Sequence, residues 1–307
     1  MPPAGYLRNF SQSVLDPQGP VAAAIAEIAW VLFAGGAVIF VLVMALTAWA
    51  LFAPPPRRAW LARRGFVVAG GIIFPVLVLA TLLVYTFLFR DGVHVGEGAL
   101  KIEVVGHQWW WRVRYLDAAG RPDFETANEI RIPAGRPVEL VLSSADVLHS
   151  FWVPNLAGKL DMVPGRVNRL RLAADRPGVF RGQCAEYCGG PHALMALYVV
   201  ADDTEGFEQW LSQQRKPAAA PNPVFLSRCA ACHTVRGTQA RGVLGPDLTH
   251  LGSRVSLGAG ILPNNRDTLA RWIVSSQHIK PGNLMPSTDG LVGDELRDLV
   301  AYLEDLK

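Results

Sequence analysis

Four cysteines fall in two closely spaced pairs, and each pair has histidine or methionine residues near it. The first pair lies in the stretch CAEYCGGPHALM, which contains Cys184, Glu186, Cys188, His192 and Met195. Thiolate and thioether sulfurs are soft ligands and imidazole is a borderline one, and this combination suits copper. One thiolate with such partners would form a mononuclear blue-copper site. Two thiolates on one loop can instead bridge two copper ions.

A further histidine completes a set of ligands for a dinuclear site. His149 lies well upstream, in SSADVLHSFWVP, and would give each copper one imidazole. The weak ligand positions would go to Met195 and to a backbone carbonyl. Two other interpretations of the cysteines remain open. One is a structural zinc site, which takes Cys and His but has no use for Met, and the other is a pair of disulfides in an exported protein.

The second cysteine pair predicts a covalently attached haem. Cys229, Cys232 and His233 have the CxxCH spacing of c-type haem attachment, in which two thiols form thioethers to the haem and the histidine ligates the iron. Met285, in LMPS, is predicted to be the second axial ligand, with a place in the core as the alternative. Zinc sites and redox dithiols share parts of the CxxCH motif.

The remaining histidines are not predicted to be ligands. The chain has seven histidines, and three of them belong to the two sites above. His250 and His278 could compete for the haem iron, but we expect both at the surface. His94 and His107 are expected to be ordinary polar positions.

Two long apolar stretches indicate membrane helices. Residues 28–56 contain no charged side chain, and neither do residues 65–89. Each stretch exceeds the ~20 residues that a helix needs to cross a bilayer. We therefore predict spans at about 27–53 and 66–89.

The connection between the spans predicts their direction. It contains Arg57, Arg58, Arg63 and Arg64, and positive charge next to a span stays on the cytoplasmic side. Both termini should therefore lie outside the cytoplasm. A cleaved signal peptide is the alternative for the first span, but that stretch is too long and lacks a basic n-region. Pro75 lies inside the second span and should kink it.

Two soluble regions with different patterns follow the spans. From residue 100 to about 201, short alternating runs separated by turn signals predict an antiparallel β-sandwich. After the Pro/Ala linker QQRKPAAAPNP the pattern becomes helical, and DELRDLVAYLEDL predicts an amphipathic closing helix. The predicted segments are an N-terminal extracytoplasmic segment (1–20), a transmembrane hairpin (21–92), a copper domain (93–202), a helix and linker (203–222) and a cytochrome domain (223–307).

Together these motifs resemble cytochrome c oxidase subunit II with a fused class I cytochrome c domain. The resemblance rests on the two spans, GHQWWW, DVLHSFWVP, DMVPGR and GQCAEYCGGPHALM, and then on CAACH, GPDLTHLGSR and LMPS. It implies a two-helix transmembrane hairpin, a cupredoxin-like β-sandwich and an all-α cytochrome c domain. It also implies a dinuclear copper A centre with these ligands: His149, Cys184, Cys188, His192, Met195 and the main-chain carbonyl of Glu186.

The resemblance assigns further roles to single residues. Trp109 matches the exposed tryptophan through which electrons reach the copper site, whereas packing explains Trp110 or Trp111. The side of His192 matches the exit route toward haem a, and the Glu186 side chain resembles a magnesium ligand at the interface with the catalytic subunit. In the loop GPDL, the proline carbonyl is expected to orient the iron-bound histidine.

The function implied by the resemblance is electron transfer in a terminal oxidase. Electrons accepted at haem c would pass to copper A and on to haem a of catalytic subunit I, which also holds copper B and reduces O2 to water with coupled proton translocation. Expected partners are subunit I, subunit III, membrane lipid and a donor that is cytochrome c or a quinol–cytochrome c reductase. The expected location is the bacterial plasma membrane, with both soluble domains on the periplasmic side.

One position departs from the family pattern. Many members carry a glutamate near the inner end of the second span, and the matching position here is near Val68. The proton route through this subunit is therefore left open. Because all copper ligands are kept, quinol itself is not expected as the donor.

Other functions fit the sequence less well. A membrane-anchored electron carrier or a copper-handling protein without an oxidase is the rival interpretation. Nitrous-oxide reduction uses a similar copper domain but needs a large separate catalytic domain. A net charge of +3 without a concentrated basic face argues against nucleic acid as a partner.

Overall fold

The computed structural model describes residues 12–88, 99–218, 220–286, 288 and 290–307. The chain divides into two compact units. One unit is Ala23–Gly92, with the long apolar helices. The other combines Met1–Ala22 with Val93–Lys307, so the copper domain and the cytochrome domain belong to the same compact unit.

The apolar stretches form two helices that are long and apolar enough to cross a membrane. Helix α1 is Pro20–Phe52 and helix α2 is Arg64–Leu88. Within α2 the turn Ala69–Ile73 is π-helical and ends just before Pro75. Proline has no N–H to donate and its ring crowds the preceding turn, so a local irregularity is expected at this place.

The copper domain is a sandwich of two five-stranded sheets. Its ten strands are β1 (Lys101–His107), β2 (Trp110–Leu116), β3 (Pro122–Ala127), β4 (Glu129–Pro133), β5 (Val138–Ser144), β6 (His149–Trp152), β7 (Leu160–Met162), β8 (Asn168–Leu172), β9 (Gly178–Cys184) and β10 (Ala196–Asp202). One sheet has the order β3-β2-β1-β5-β8 and the other has the order β4-β10-β9-β6-β7. The cupredoxin-like sandwich predicted from the resemblance is therefore confirmed.

The predicted antiparallel β-sandwich needs a correction at two strand pairs. Strand β1 runs parallel to β5, and β10 runs parallel to β4. In both cases the partners are distant in sequence and lie side by side in the same sheet. An alternating pattern predicts which face of a strand is buried, but it carries no information about the direction of the neighbouring strand.

Alternating apolar side chains build the core between the two sheets. Ile102 and Val104 on β1 are fully buried, as are Trp111 and Val113 on β2. Tyr115 is also buried, and its hydroxyl donates a hydrogen bond to the carbonyl of Arg131. This satisfies the phenol in an otherwise apolar interior. The prediction that packing explains Trp111 is confirmed.

Short helices form most of the cytochrome domain and its connection to the sandwich. They are α3 (Thr204–Gln214), α4 (Pro223–Arg228), α5 (Arg266–Ile279) and α6 (Gly293–Asp305), with a two-stranded β11–β12 hairpin (Ser256–Leu257 and Leu262–Pro263) between α4 and α5. The side chain of Asn265 caps α5 in a capping box with Thr268. As predicted for the closing helix, α6 buries its apolar face, which includes Leu299, Val300 and Leu303.

Candidate copper and haem sites

The strand order of the second sheet brings the first cysteine and the distant histidine together. His149 begins β6 and Cys184 ends β9, and these strands are antiparallel neighbours with Phe151 opposite Cys184. The loop after Cys184 passes through the 3-10 turn Gly190–Leu194. It closes where the Cys184 N–H donates to the carbonyl of Met195, 2.8 Å away. Five of the predicted copper-site residues therefore lie on one loop, and the sixth lies beside its base.

The two sulfurs of this loop form the centre of a compact donor cluster. The Sγ atoms of Cys184 and Cys188 lie 3.8 Å apart, and neither cysteine is in a disulfide. The ligand atoms of His149, Cys184 and Cys188 all lie within 4.8 Å of one another. The surrounding contacts are His149 Nδ1 to Cys184 Sγ at 3.8 Å, His192 Nδ1 to Cys188 Sγ at 3.5 Å, Met195 Sδ to Cys188 Sγ at 3.9 Å and the Glu186 carbonyl to Cys184 Sγ at 3.2 Å.

The two thiols are buried and share their protons unequally. Contact with Cys188 lowers the pKa of Cys184 to about 3, against the opposing effect of burial. The pKa of Cys188 is raised, first by its hydrogen bond with Cys184, then by burial and by the charge of Cys184. A buried pair of this kind favours binding of a cation that replaces the protons, because metal ligands must be deprotonated.

The imidazole of His149 is held by a carboxylate on its far side. Its Nε2 lies 2.8 Å from Oδ1 of Asp146, and its Nδ1 faces the cysteine sulfurs. Asp146 also accepts hydrogen bonds from the N–H groups of Gln108 and Val147. Metal-binding histidines usually donate their second nitrogen to such a partner, which fixes the ring orientation. The sequence reasoning missed Asp146, although its position three residues before His149 was a usable signal.

Glycines allow this site to pack closely. A Cβ atom on Gly106 would lie 2.8 Å from Cδ2 of His149. A Cβ atom on Gly189 would lie 2.9 Å from Cζ2 of Trp109, and Gly189 also has a φ of +115° that favours glycine. The indole Nε1 of Trp109 donates to the carbonyl of Cys188 at 2.8 Å. Trp109 therefore lies directly against the copper loop, and its indole is partly buried.

The second cysteine pair lies at the end of α4. The N–H groups of Cys229 and of His233 bond within this turn, to the carbonyls of Phe225 and Cys229. The Nδ1 of His233 donates to the carbonyl of Pro246, 2.8 Å away. This hydrogen bond to Pro246 is the contact that the GPDL loop was expected to make. It leaves Nε2 of His233 free to bind a metal. Burial lowers the pKa of His233, so the ring is neutral as a ligand must be.

The raised pKa of Cys229 argues against a redox dithiol. Burial, and then the neighbouring Cys232, raise the pKa of Cys229 to about 11. Reactive CxxC pairs have a lowered pKa at the attacking thiol. Cys229 and Cys232 are both free of disulfides. Attachment of a ligand fits these thiols better than disulfide exchange.

Glycines also bring the GPDL segment close to the attachment motif. A Cβ atom on Gly245 would lie 2.6 Å from Cε1 of His233. A Cβ atom on Gly242 would lie 2.4 Å from the main-chain carbon of Cys232. Such distances require glycine, because real Cβ contacts are longer. The two glycines thus permit the histidine ring to stand between the motif and the following loop.

The loop that carries Met285 is held by side-chain amides. Gln277, on α5, donates from Nε2 to the carbonyls of Asn283 and Met285, each at 2.7 Å. Asn283 in turn accepts from the Met285 N–H and donates to the carbonyl of Lys280. Met285 is partly buried, as a side chain facing a cofactor pocket would be. The sequence reasoning did not identify Gln277 and Asn283.

One prediction about the histidines is wrong. His250 is only 4% exposed, and its Nε2 lies 3.0 Å from the carbonyl of Lys216 in the linker. It is buried because the linker covers the loop that follows GPDL. His278 is exposed as predicted. His107 stacks on Trp110 with ring centroids 4.6 Å apart, and His94 lies outside the described residues.

Comparison with known families matches both soluble regions. Residues 118–202 match the family described as "Cytochrome C oxidase subunit II, periplasmic domain". Residues 219–307 match the family described as "Cytochrome c".

Individual proteins match over most of the chain. "Cytochrome c oxidase subunit 2" of Alkalihalophilus pseudofirmus is 37% identical over 251 residues, which cover 76% of this chain and 71% of that protein. "Cytochrome c oxidase subunit 2" of Bacillus sp. (strain PS3) is 31% identical over 262 residues, which cover 77% of this chain and 71% of that protein. The crystal structure of the periplasmic domain of subunit II of cytochrome oxidase of Bradyrhizobium japonicum aligns with a TM-score of 0.37 and 30% identity, over 40% of this chain and 97% of that one.

The His/Cys/Cys/Met cluster implies copper, and the cytochrome domain implies haem c. Helices α1 and α2 imply a membrane-bound protein. The chain therefore belongs to the cytochrome c oxidase subunit 2 family and is a membrane-bound subunit of a haem-copper terminal oxidase, with a cytochrome c domain at its C-terminal end.

Proposed function

We propose that this chain is the subunit through which electrons enter the oxidase, in the order cytochrome domain, copper domain, catalytic subunit. The observation that carries the proposal is the cluster of two cysteine sulfurs, two imidazoles and a thioether in the copper domain, in which only His192 among these five side chains is partly exposed. Copper and haem c, when bound, supply one-electron redox chemistry. Both sites offer filled protein ligand sets, which suit electron transfer better than substrate binding.

The donor set supports a dinuclear copper centre. Cys184 and Cys188 would bridge the two coppers, and His149 and His192 would each bind one of them. Met195 and the carbonyl of Glu186 would take the weak positions. The thioether of Met195, 3.9 Å from the Cys188 sulfur, favours copper over zinc. Asp146 would hold His149 in the tautomer that presents Nδ1 to the metal.

The cytochrome domain supports a covalently attached, six-coordinate haem. Cys229 and Cys232 would form the thioethers, and His233 would bind the iron through Nε2 because its Nδ1 donates to Pro246. Met285 would be the opposite ligand. His/Met coordination is typical of electron-transferring cytochromes c.

Trp109 is the residue we propose for electron transfer into the copper centre. Its indole N–H bonds the carbonyl of Cys188, a proposed bridging ligand. Its ring also lies against Gly189 in the same loop. The aromatic ring and the hydrogen bond together form a direct connection from the domain surface to the copper loop.

Partners and orientation follow from the family. The chain would deliver electrons on the His192 side to haem a of subunit I, which holds copper B and reduces O2 to water with proton translocation, and subunit III would complete the assembly. The donor would be cytochrome c or a quinol–cytochrome c reductase. The arginines between the spans support a cytoplasmic connection and periplasmic soluble domains in a bacterial plasma membrane. A magnesium ion at the Glu186 side chain stays a prediction from the resemblance.

Metal analysis combined with spectroscopy tests the proposal. The chain should be purified in mild detergent after expression with copper and with the haem-attachment machinery. We expect two coppers and one covalent haem per chain, with a copper electron paramagnetic resonance signal that is lost in Cys188→Ser. Purification together with a haem a-containing subunit is also expected. A chain that contained zinc in place of copper, or that came from its native membrane without haem a, would contradict the proposal.

A further inference from the structure

We propose that Lys280 is a positioning residue that holds the cytochrome domain against Trp109 for electron transfer to the copper domain. This inference rests on the proposed function. Lys280 follows the last residue of α5, and its side chain is 2% exposed. Its ammonium donates to the carbonyl of Trp109 at 2.6 Å and to the carbonyl of Gly258 at 3.0 Å.

The side chain joins the two domains at a residue that is itself hydrogen-bonded to the copper loop. Trp109 belongs to the copper domain, whereas Lys280 and Gly258 belong to the cytochrome domain. On its other side, Trp109 bonds the carbonyl of Cys188 through the indole N–H. One residue of the copper domain is therefore bonded at once to a proposed copper ligand and to the cytochrome domain.

The same loop of the cytochrome domain carries the proposed iron ligand. Lys280 precedes Pro281, so the helix ends there and the chain turns toward Met285. Asn283 donates to the carbonyl of Lys280 at 2.8 Å and accepts from the Met285 N–H at 2.9 Å. A Cβ atom on Gly282, in the middle of this loop, would lie 4.0 Å from Cη2 of Trp109. Hydrogen bonds thus connect the Met285 main chain, through Asn283 and Lys280, to the main-chain carbonyl of Trp109.

The burial of this ammonium distinguishes Lys280 from an ordinary surface lysine. Burial lowers the pKa of Lys280 to about 7, and the charge interaction with the Cys188 thiol opposes this shift. Removing an ammonium group from water is unfavourable. A leucine or methionine would fill the place without that penalty, so a structural role alone does not explain a lysine. The two carbonyl acceptors explain why a lysine stands there, because they require a hydrogen-bond donor that reaches across the interface.

Other contacts align the domains around this point. The N–H of Val255 donates to a carboxylate oxygen of Glu129 at 2.7 Å, and the guanidinium of Arg112 donates to the carbonyl of Val243 at 2.7 Å. They dock the domains, but neither involves Trp109 or the Met285 loop. Loss of the Lys280 contact should therefore change the alignment at Trp109 while leaving the domains associated.

The first test measures transfer between the two centres in Lys280→Met, with Lys159→Met as the control. Met keeps the length and apolar stem of Lys but donates no hydrogen bond, and Lys159 is an exposed lysine of the copper domain. After rapid reduction of haem c in the detergent-solubilised chain, we expect the rate of copper reduction to fall by about tenfold or more in Lys280→Met, because small misplacements slow reactions of positioned groups strongly. The spectra and midpoint potentials of both centres, and the rate of haem reduction by an external donor, should stay as in Lys159→Met.

A second measurement does not depend on the variant folding. Acetylation of the unmodified chain with an amine-reactive ester, followed by mass spectrometry of the peptides, should label Lys159 readily and leave Lys280 protected. Equal labelling of the two lysines would overturn the proposal. So would a normal transfer rate in Lys280→Met with both centres loaded. A wild-type chain that binds no copper or no haem would instead refute the proposed function, and the two failures are therefore distinguishable.

Discussion

Gly106→Ala should damage the copper centre from a position that supplies no ligand. The added Cβ would lie 2.8 Å from Cδ2 and 3.0 Å from Cγ of His149. Carbon atoms in van der Waals contact are about 3.5 Å apart or more, so the ring must move by roughly 0.7 Å. Metal–ligand distances tolerate only about 0.2 Å.

The ring has little room for this movement. His149 is fully buried, its Nε2 lies 2.8 Å from Asp146, and the ring packs beside Trp111. We expect copper affinity to fall by about 10- to 100-fold or more, as for changes to groups that orient a ligand. Overpacking should also lower the free energy of unfolding of the domain by about 1–3 kcal/mol.

Copper content and a chelator competition titration measure the effect in the detergent-solubilised chain. Covalent haem serves as the internal standard because the cytochrome domain is separate from Gly106. Gly190→Ala is the matched control, since a Cβ there meets nothing within 4 Å and the residue lies in the copper loop itself. If Gly106→Ala bound two coppers with the affinity and spectrum of Gly190→Ala, the argument from the approach of Gly106 to His149 would be refuted.

Three further predictions concern single side chains. Asp146→Asn should lower copper affinity about 10- to 100-fold, measured by the same titration, because Nε2 of His149 loses its carboxylate; unchanged affinity would show that Asp146 does not orient the ring. Met285→Ala should retain covalent haem but lose the weak red Met-to-iron absorption band, and persistence of that band would exclude Met285 as the ligand. The pKa of His107 is lowered to about 4 by burial and then by Arg112, so the folded domain keeps this ring neutral while the unfolded chain protonates near pH 6.5. The stability that this group contributes is present above pH 6.5 and is lost as the pH drops toward 4. His107→Gln should therefore lose less stability than wild type between pH 7 and 4.5 in urea titrations, and an identical loss would contradict the assignment.

Most of the chemistry could be predicted from residue types and spacing. The CxxCH motif contains three of the four proposed haem contacts within five residues, and the copper loop contains five of its six residues within twelve. Such local sets are readable because short loops bring their own side chains together. The β-sandwich was also predictable, since burial alternates along strands such as β1.

The errors come from contacts between distant segments, whereas the omissions concern side chains whose partners only the folded geometry shows. His250 was expected at the surface, but the linker carbonyl of Lys216 covers it. The parallel pairing of β1 with β5 depends on how the chain returns across the sandwich. Asp146 is close to His149 in sequence, yet its role becomes visible only when the ring is seen between the carboxylate and the sulfurs.

The sequence by itself determined which atoms are available for the metal and the haem, because ligand chemistry depends on residue type. It also determined that two segments are apolar enough to span a membrane. The tertiary structure alone decided that His149 faces Cys184, that Trp109 bonds Cys188 and that Lys280 reaches Trp109 from the cytochrome domain. These contacts join segments separated by 35 to 171 positions, and only the packing of the strands and helices fixes the distances between such segments.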